Sequence, residues 1–122
     1  MSLPKINRIK KKKDFETIFK NSKSFKNNLL IFRIMKNSLG LNRFGFVVSQ
    51  KVSKKATIRN KVRRRLAEAI RARMKDILPL GAQVKSGTDM VLIALPGIEK
   101  KEFSEVKEAI NNMLIKSGLI AR

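Results

Sequence analysis

The sequence predicts a small α+β sandwich: about four strands in one mixed sheet with three helices, in the order α-β-β-β-α-β-α, as a single domain over residues 1–122. Three observations predict it. The chain has 122 residues, of which 43% are apolar, enough for one core. Two short segments rich in apolar and β-forming residues precede one long helical stripe, and a third follows it. The stripe is Ile58, Val62, Leu66, Ile70 and Met74, spaced four apart, which is one face of a helix.

The elements follow in order. Residues Lys5 to Lys13 form a basic arm with Lys5, Arg8, Lys10, Lys11, Lys12 and Lys13. Asp14 is the expected N-cap of a short helix through Lys20 that carries Phe15, Ile18 and Phe19. Asn21-Ser22-Lys23-Ser24 ends it, and Ser24 to Asn27 suits a short edge strand. Leu29 to Met35 and Arg43 to Ser49 read as strands, with Asn37 to Asn42 as the loop between them. The helix of the apolar stripe runs to about Asp76, with Pro79 and Gly81 stopping it. Gln83 to Thr88 is a polar connector. Met90 to Leu95 reads as a buried strand stopped by Pro96-Gly97. The last helix covers Glu102 to Lys116, with Phe103, Val106, Ile110, Met113 and Leu114 on one face and Gly118 as its C-terminal cap.

Charge narrows the partners. Lys and Arg number 29 against 9 Asp and Glu, a formal net charge of +20. Self-repulsion on that scale opposes compaction unless a polyanion neutralises it, and nucleic acid is the leading candidate. The chain has no Cys and no His. It therefore lacks the usual zinc ligands, a thiol nucleophile and His-based acid-base chemistry. No close acidic pair stands on an apolar background, so neither catalytic nor metal-ligating residues are assigned. No run reaches the length of a membrane span, and the N-terminus lacks a signal-peptide core; the cytoplasm is the default compartment.

Binding residues concentrate around the apolar stripe. Between Arg59 and Arg65, five of seven residues are positive. Arg59, Asn60, Arg63 and Arg64 span an arc of roughly 140° on the helix, whereas Lys61, Arg65 and Glu68 project elsewhere. A solvated charged face is the plain alternative, but one acid, Glu68, cannot neutralise the run by pairing along the helix. Ser49 to Lys55 places backbone N–H groups, hydroxyls, Lys51, Lys54 and Lys55 beside the helix N-terminus, a combination that suits anions. Phe15 and Phe19 fit either core packing or base stacking. Phe32 and Phe46 lie in strands and could face either way, and Phe103 suits the core.

These residues resemble a known family. Arg59-Asn60-x-x-Arg63-Arg64-x-x-x-Glu68 is similar to the signature of the bacterial ribonuclease P protein subunit. The resemblance extends to the basic arm with Asp14-Phe15-x-x-x-Phe19, to Phe44 through Val52, and to Asp89 through Ala94. It implies a left-handed βαβ crossover through the arginine helix, in a sandwich of the type seen in a ribosomal-protein domain. It implies binding to a catalytic RNA, one protein per RNA, through Lys51, Lys54, Lys55, Arg59, Asn60, Lys61, Arg63 and Arg64. It further implies a cleft that holds the 5′ leader of precursor tRNA with Phe15, Phe19, Phe32 and Arg63. Phe32 is matched to a third aromatic position by allowing a one-residue gap. Mg²⁺ and the chemistry of leader removal would belong mainly to the RNA. One departure stands out: the signature's later basic position falls on Ala67, in the middle of the polar arc, so that Arg71 one turn on replaces it or the protein relies less on that turn. The rival reading is a small basic structural protein of the ribosome; a DNA-binding protein and an intrinsically catalytic nuclease fit less well.

Overall fold

The computed structural model describes residues 4–37, 39–77 and 87–120. Three helices and four strands form the frame: α1 (Lys12–Asn21), β1 (Lys23–Lys26), β2 (Leu30–Asn37), β3 (Arg43–Val47), α2 (Ala56–Arg71), β4 (Gly87–Ala94) and α3 (Phe103–Lys116). The sheet order is β1-β2-β4-β3. β1 and β2 pair antiparallel, β2 and β4 pair antiparallel, and β3 and β4 pair parallel. The sheet is mixed, as expected. No helix among the described residues is long and apolar enough to cross a membrane.

Strand alternation divides the sheet into two faces. Leu30, Phe32 and Ile34 of β2 join Phe44 of β3 and Met90, Leu92 and Ala94 of β4. This larger core takes Val62, Leu66, Ala69 and Ile70 from α2, and Val106, Ile110, Met113 and Leu114 from α3. Burial of each Val, Leu, Ile, Phe or Met among these contributes about 1.5–3 kcal/mol. The opposite face is smaller: Ile9, Ile18 and Val91 are buried, with Phe15, Met35, Val47 and Ile93 packed around them. Here only α1 and Ile9 of the arm cover the sheet, and the half-buried Val47 and Ile93 remain reachable by solvent.

The crossover hand follows from one hydrogen bond. The Ile9 N–H donates to the Phe44 carbonyl (2.8 Å), so that carbonyl points away from β4. The Phe44 side chain points into the core shared with α2. For an L-residue this places β4 on the left of β3 when α2 is in front of the sheet. The β3-α2-β4 crossover is therefore left-handed, against the usual rule.

Several boundaries differ from the sequence expectation. α1 begins at Lys12 with Lys11 as its N-cap residue, and no side chain caps it. Asp14 sits inside the first turn, where its carboxylate still favours the helix dipole, and its side chain turns to Arg43 instead (3.3 Å). The basic arm is docked from residue 4 onward: a 3-10 turn spans Lys5–Asn7, Arg8 bridges Phe44 on the outer edge of β3, and Ile9 is buried. α2 ends at Arg71, and a separate 3-10 turn over Met74–Asp76 brings Met74 and Ile77 against the core. Gly87 and Thr88 belong to buried β4, not to a polar connector; residues 83–86, Pro79 and Gly81 lie outside the described residues. At the end of α3, Gly118 takes φ +80°, and the Leu119 N–H reaches back to the Leu114 carbonyl (3.0 Å), a C-terminal cap that only glycine enters without strain.

Candidate nucleic-acid interface

Two surfaces hold the expected binding residues, and they meet at the outer edge of β3. The first is the start of α2 with its preceding loop. The loop is braced from within. The Ser49 hydroxyl oxygen accepts the Lys51 N–H (3.2 Å), and that of Ser53 accepts the Lys55 N–H (3.2 Å). Val52 is buried beneath it. Arg59 folds back so that Nη1 donates to the carbonyls of Ser53 (3.0 Å) and Lys54 (2.9 Å). Lys51, Lys54 and Lys55 are left on an ordered, exposed scaffold. No side chain caps α2, and its first turn contains no acid, so the positive end of the helix dipole adds to the lysines.

Further along α2 the arginines diverge. Asn60 is exposed, and its Oδ1 accepts from Arg63 Nη1. Arg63 Nη2 reaches the Val48 carbonyl (3.4 Å), immediately after the last residue of β3. Arg64 is exposed with no protein partner among the described residues. Lys61 lies on the other side of α2, beside Arg65, Ile98 and Glu99, and Arg65 donates to the Lys101 carbonyl (3.2 Å). Among the candidate cations of α2, Arg59, Arg63 and Arg64 thus share a face with Asn60 that Lys61 does not share.

Ala67 corrects an expectation. It is only 6% exposed, so it is no gap in an exposed contact surface. Its position lies one turn beyond Arg63, at the margin of the core-facing stripe, where a methyl group permits close cover. Arg71 is exposed and pairs with Glu68 (3.2 Å).

The second surface is the groove beside α1. The Phe15 ring lies over Gly45 of β3; a Cβ there would come within 2.6 Å of the ring. Phe15 is half-buried, whereas Phe19 is 42% exposed. Their ring centroids are 6.4 Å apart and tilted by 38°. Phe32 is not part of this surface. It is 0% exposed and packs in the larger core on the opposite sheet face, so it cannot stack on a ligand. The alternation of β2 places Arg33 on the groove face instead. Its guanidinium carbon lies 5.6 Å from the Phe19 ring centroid, a cation–π distance. The sequence reading missed Arg33 because the one-residue gap shifted the strand by one position, which exchanges its faces. Phe46 also turns to the larger core, with Phe103.

A buried polar cluster fixes α1 over the sheet. Asp89 is 2% exposed and accepts from Arg43 twice, Nε to Oδ1 (2.8 Å) and Nη2 to Oδ2 (2.7 Å). Asn37 Nδ2 donates to the same carboxylate (2.8 Å). Arg43 Nη1 then reaches Asp14 on α1. The Asp89 hydrogen bonds hold the guanidinium pKa above its ordinary value despite partial burial. Asp14 and Asp89 are both committed to Arg43, and no convergent group of acids able to hold a metal ion occurs among the described residues.

A model of the Ribonuclease P family matches residues 3–118. The chain belongs to that family. A Ribonuclease P protein component from Clostridium botulinum is 37% identical over 115 residues, covering 94% of this chain and 97% of the relative. One from a Thermoanaerobacter species is 34% identical over 117 residues, covering 96% and 94%. The solved RNase P protein of Thermotoga maritima superposes with a TM-score of 0.76 at 31% identity, covering 89% of this chain and 96% of that one. The Staphylococcus aureus RNase P protein reaches 0.80 at 24% identity, a likeness of fold. Ribonuclease P family membership agrees with the resemblance carried by Arg59 to Glu68, and with the α+β sandwich.

Proposed function

We propose that this chain is the protein component of a ribonuclease P ribonucleoprotein that binds the catalytic RNA and the 5′ leader of precursor tRNA. It assists endonucleolytic removal of the leader, which leaves the mature tRNA 5′ end. The observation that carries the reading is the meeting of two different surfaces at one edge of β3. A braced cationic scaffold, with Lys51, Lys54, Lys55, Arg63 and Arg64, supplies contacts suited to the closely spaced phosphates of folded RNA. The sheet face beside α1, with Phe15 and Phe19, supplies ring faces suited to unpaired bases.

The division of labour follows from chemistry. No group of three or more acids that could hold a metal ion occurs among the described residues. In this reading Mg²⁺ and the hydrolytic step belong mainly to the RNA. The protein orients the substrate and screens phosphate repulsion between leader and RNA subunit. Arg63 stands at the junction and serves both surfaces. The basic arm, with Arg8, Lys10, Lys11, Lys12 and Lys13, flanks the groove along α1 and the β3 edge and adds phosphate contacts. One protein per RNA is the proposed stoichiometry, and the cytoplasm the proposed compartment.

The test is reconstitution. The protein is added to its cognate RNA at low Mg²⁺, where the RNA alone is weakly active, and precursor cleavage is followed. Stimulation is the expected result. Tight RNA binding without any stimulation would favour the ribosomal alternative.

A further inference from the structure

We infer that Arg33 makes this groove selective for a leader base that presents two adjacent acceptors, and that the preferred base is guanine. The inference rests on the leader-binding reading above. Arg33 projects from the middle of β2, between Ser24 of β1 and Val91 of β4. Its guanidinium is anchored at the C-terminal end of α1 and on Ser22, the residue that follows it. The Phe19 ring lies 5.6 Å below it, and Nη1 donates to the Phe19 carbonyl (3.4 Å) and the Ser22 hydroxyl (3.4 Å). Those contacts occupy one end of the fork. The Nε–H and Nη2–H edge has no protein partner among the described residues.

A half-buried arginine with one end anchored is pre-organised, so less side-chain entropy is lost when the free edge binds. Two parallel N–H donors match the O6 and N7 acceptors of guanine. They also match two oxygens of a phosphate. The surroundings favour the base. Arg33 stands in an apolar floor, between Ile31 and Met35 on β2 and opposite the buried Val91 of β4, next to the exposed Phe19 ring. Bases lying on that floor present their edges in its plane, whereas their phosphates project toward solvent. Phe19 thus both stacks and orients the arginine that reads the neighbouring edge.

The experiment uses the reconstituted holoenzyme and a panel of precursor tRNAs. Each of the leader nucleotides nearest the cleavage site is varied through all four bases, and precursor affinity is compared with mature tRNA. The wild-type complex should prefer guanine at one leader position by roughly tenfold or more. Arg33→Lys keeps the charge but not the fork; affinity for the guanine leader should fall by roughly tenfold to the level of the other three, which change by no more than a few-fold. Arg33→Ala should lose it too, with circular dichroism showing an unchanged fold. A flat base profile in the wild type, a preference retained in Arg33→Lys, or an equal loss for all four bases in Arg33→Ala would each overturn the inference. In those three cases discrimination of precursor from mature tRNA survives, and only the role of Arg33 falls. A wild-type complex that binds precursor no better than mature tRNA would remove the leader-binding reading as well.

Discussion

Arg43 is the residue on which the geometry of the groove depends most. It joins β3 to β4 through Asp89 and to α1 through Asp14. Removing one partner of a buried, hydrogen-bonded pair leaves the other uncompensated, which typically costs 3–5 kcal/mol. With Arg43 itself partly exposed, Asp89→Ala should lower unfolding stability by about 3 kcal/mol in urea titrations. Asp14→Ala breaks only the outer contact and should cost under about 1 kcal/mol, while loosening α1 and weakening precursor binding more than RNA-subunit binding. Gly45 makes a second residue-scale case. Its missing side chain is the space that Phe15 fills, so Gly45→Ala should displace the ring and cost about 1–3 kcal/mol through overpacking. A variant as stable as the parent, with unchanged leader affinity, would contradict this packing.

At the scale of elements, α2 does two jobs with different residues. Arg59 braces its own loop, and Arg64 faces solvent. Arg64→Ala should therefore leave the melting temperature unchanged, weaken RNA-subunit binding, and reduce the salt slope by about one. Arg59→Ala should do both: release the Ser53 and Lys54 carbonyls and weaken binding. A slope measured across both variants separates the two roles. α1 shows a similar split, since Phe19 is exposed where Phe15 is packed. Phe19→Ala should spare stability and Phe15→Ala should not.

Much of this was legible in the sequence, and the exceptions have physical causes. The stripe Ile58, Val62, Leu66, Ile70 was readable because helical periodicity depends on spacing alone; three of the four are fully buried and Ile58 is partly so. Element order was readable from the same patterns. The face of Phe32 was not, because both neighbours on β2 are compatible with a strand and a one-residue shift reverses the assignment. Asp14 looked like a cap because its local context allows one. Only the distant Arg43, 29 residues along the chain, reveals its actual partner. Ala67 was misplaced on an exposed arc because burial at the margin of a stripe depends on what packs over it.

The whole molecule is a charge problem. The net charge of +20 already counts every acid of the chain, so no ion pair within it can offset that excess, and stability and RNA affinity should move in opposite directions with ionic strength. Added salt screens self-repulsion and raises the melting temperature of the free protein. It also lowers RNA affinity by weakening counterion release. Binding that is indifferent to salt would contradict a phosphate-based interface.

The central claim is that one polypeptide holds the catalytic RNA with α2 and its loop while its aromatic groove holds the leader. The most direct measurement is the ratio of precursor to mature tRNA affinity in the reconstituted holoenzyme, with and without Phe19→Ala. The account predicts that wild type favours the precursor and that Phe19→Ala loses about 1–3 kcal/mol of that preference with mature tRNA and RNA-subunit affinities unchanged. An unchanged ratio, or equal weakening of both tRNAs, would contradict it.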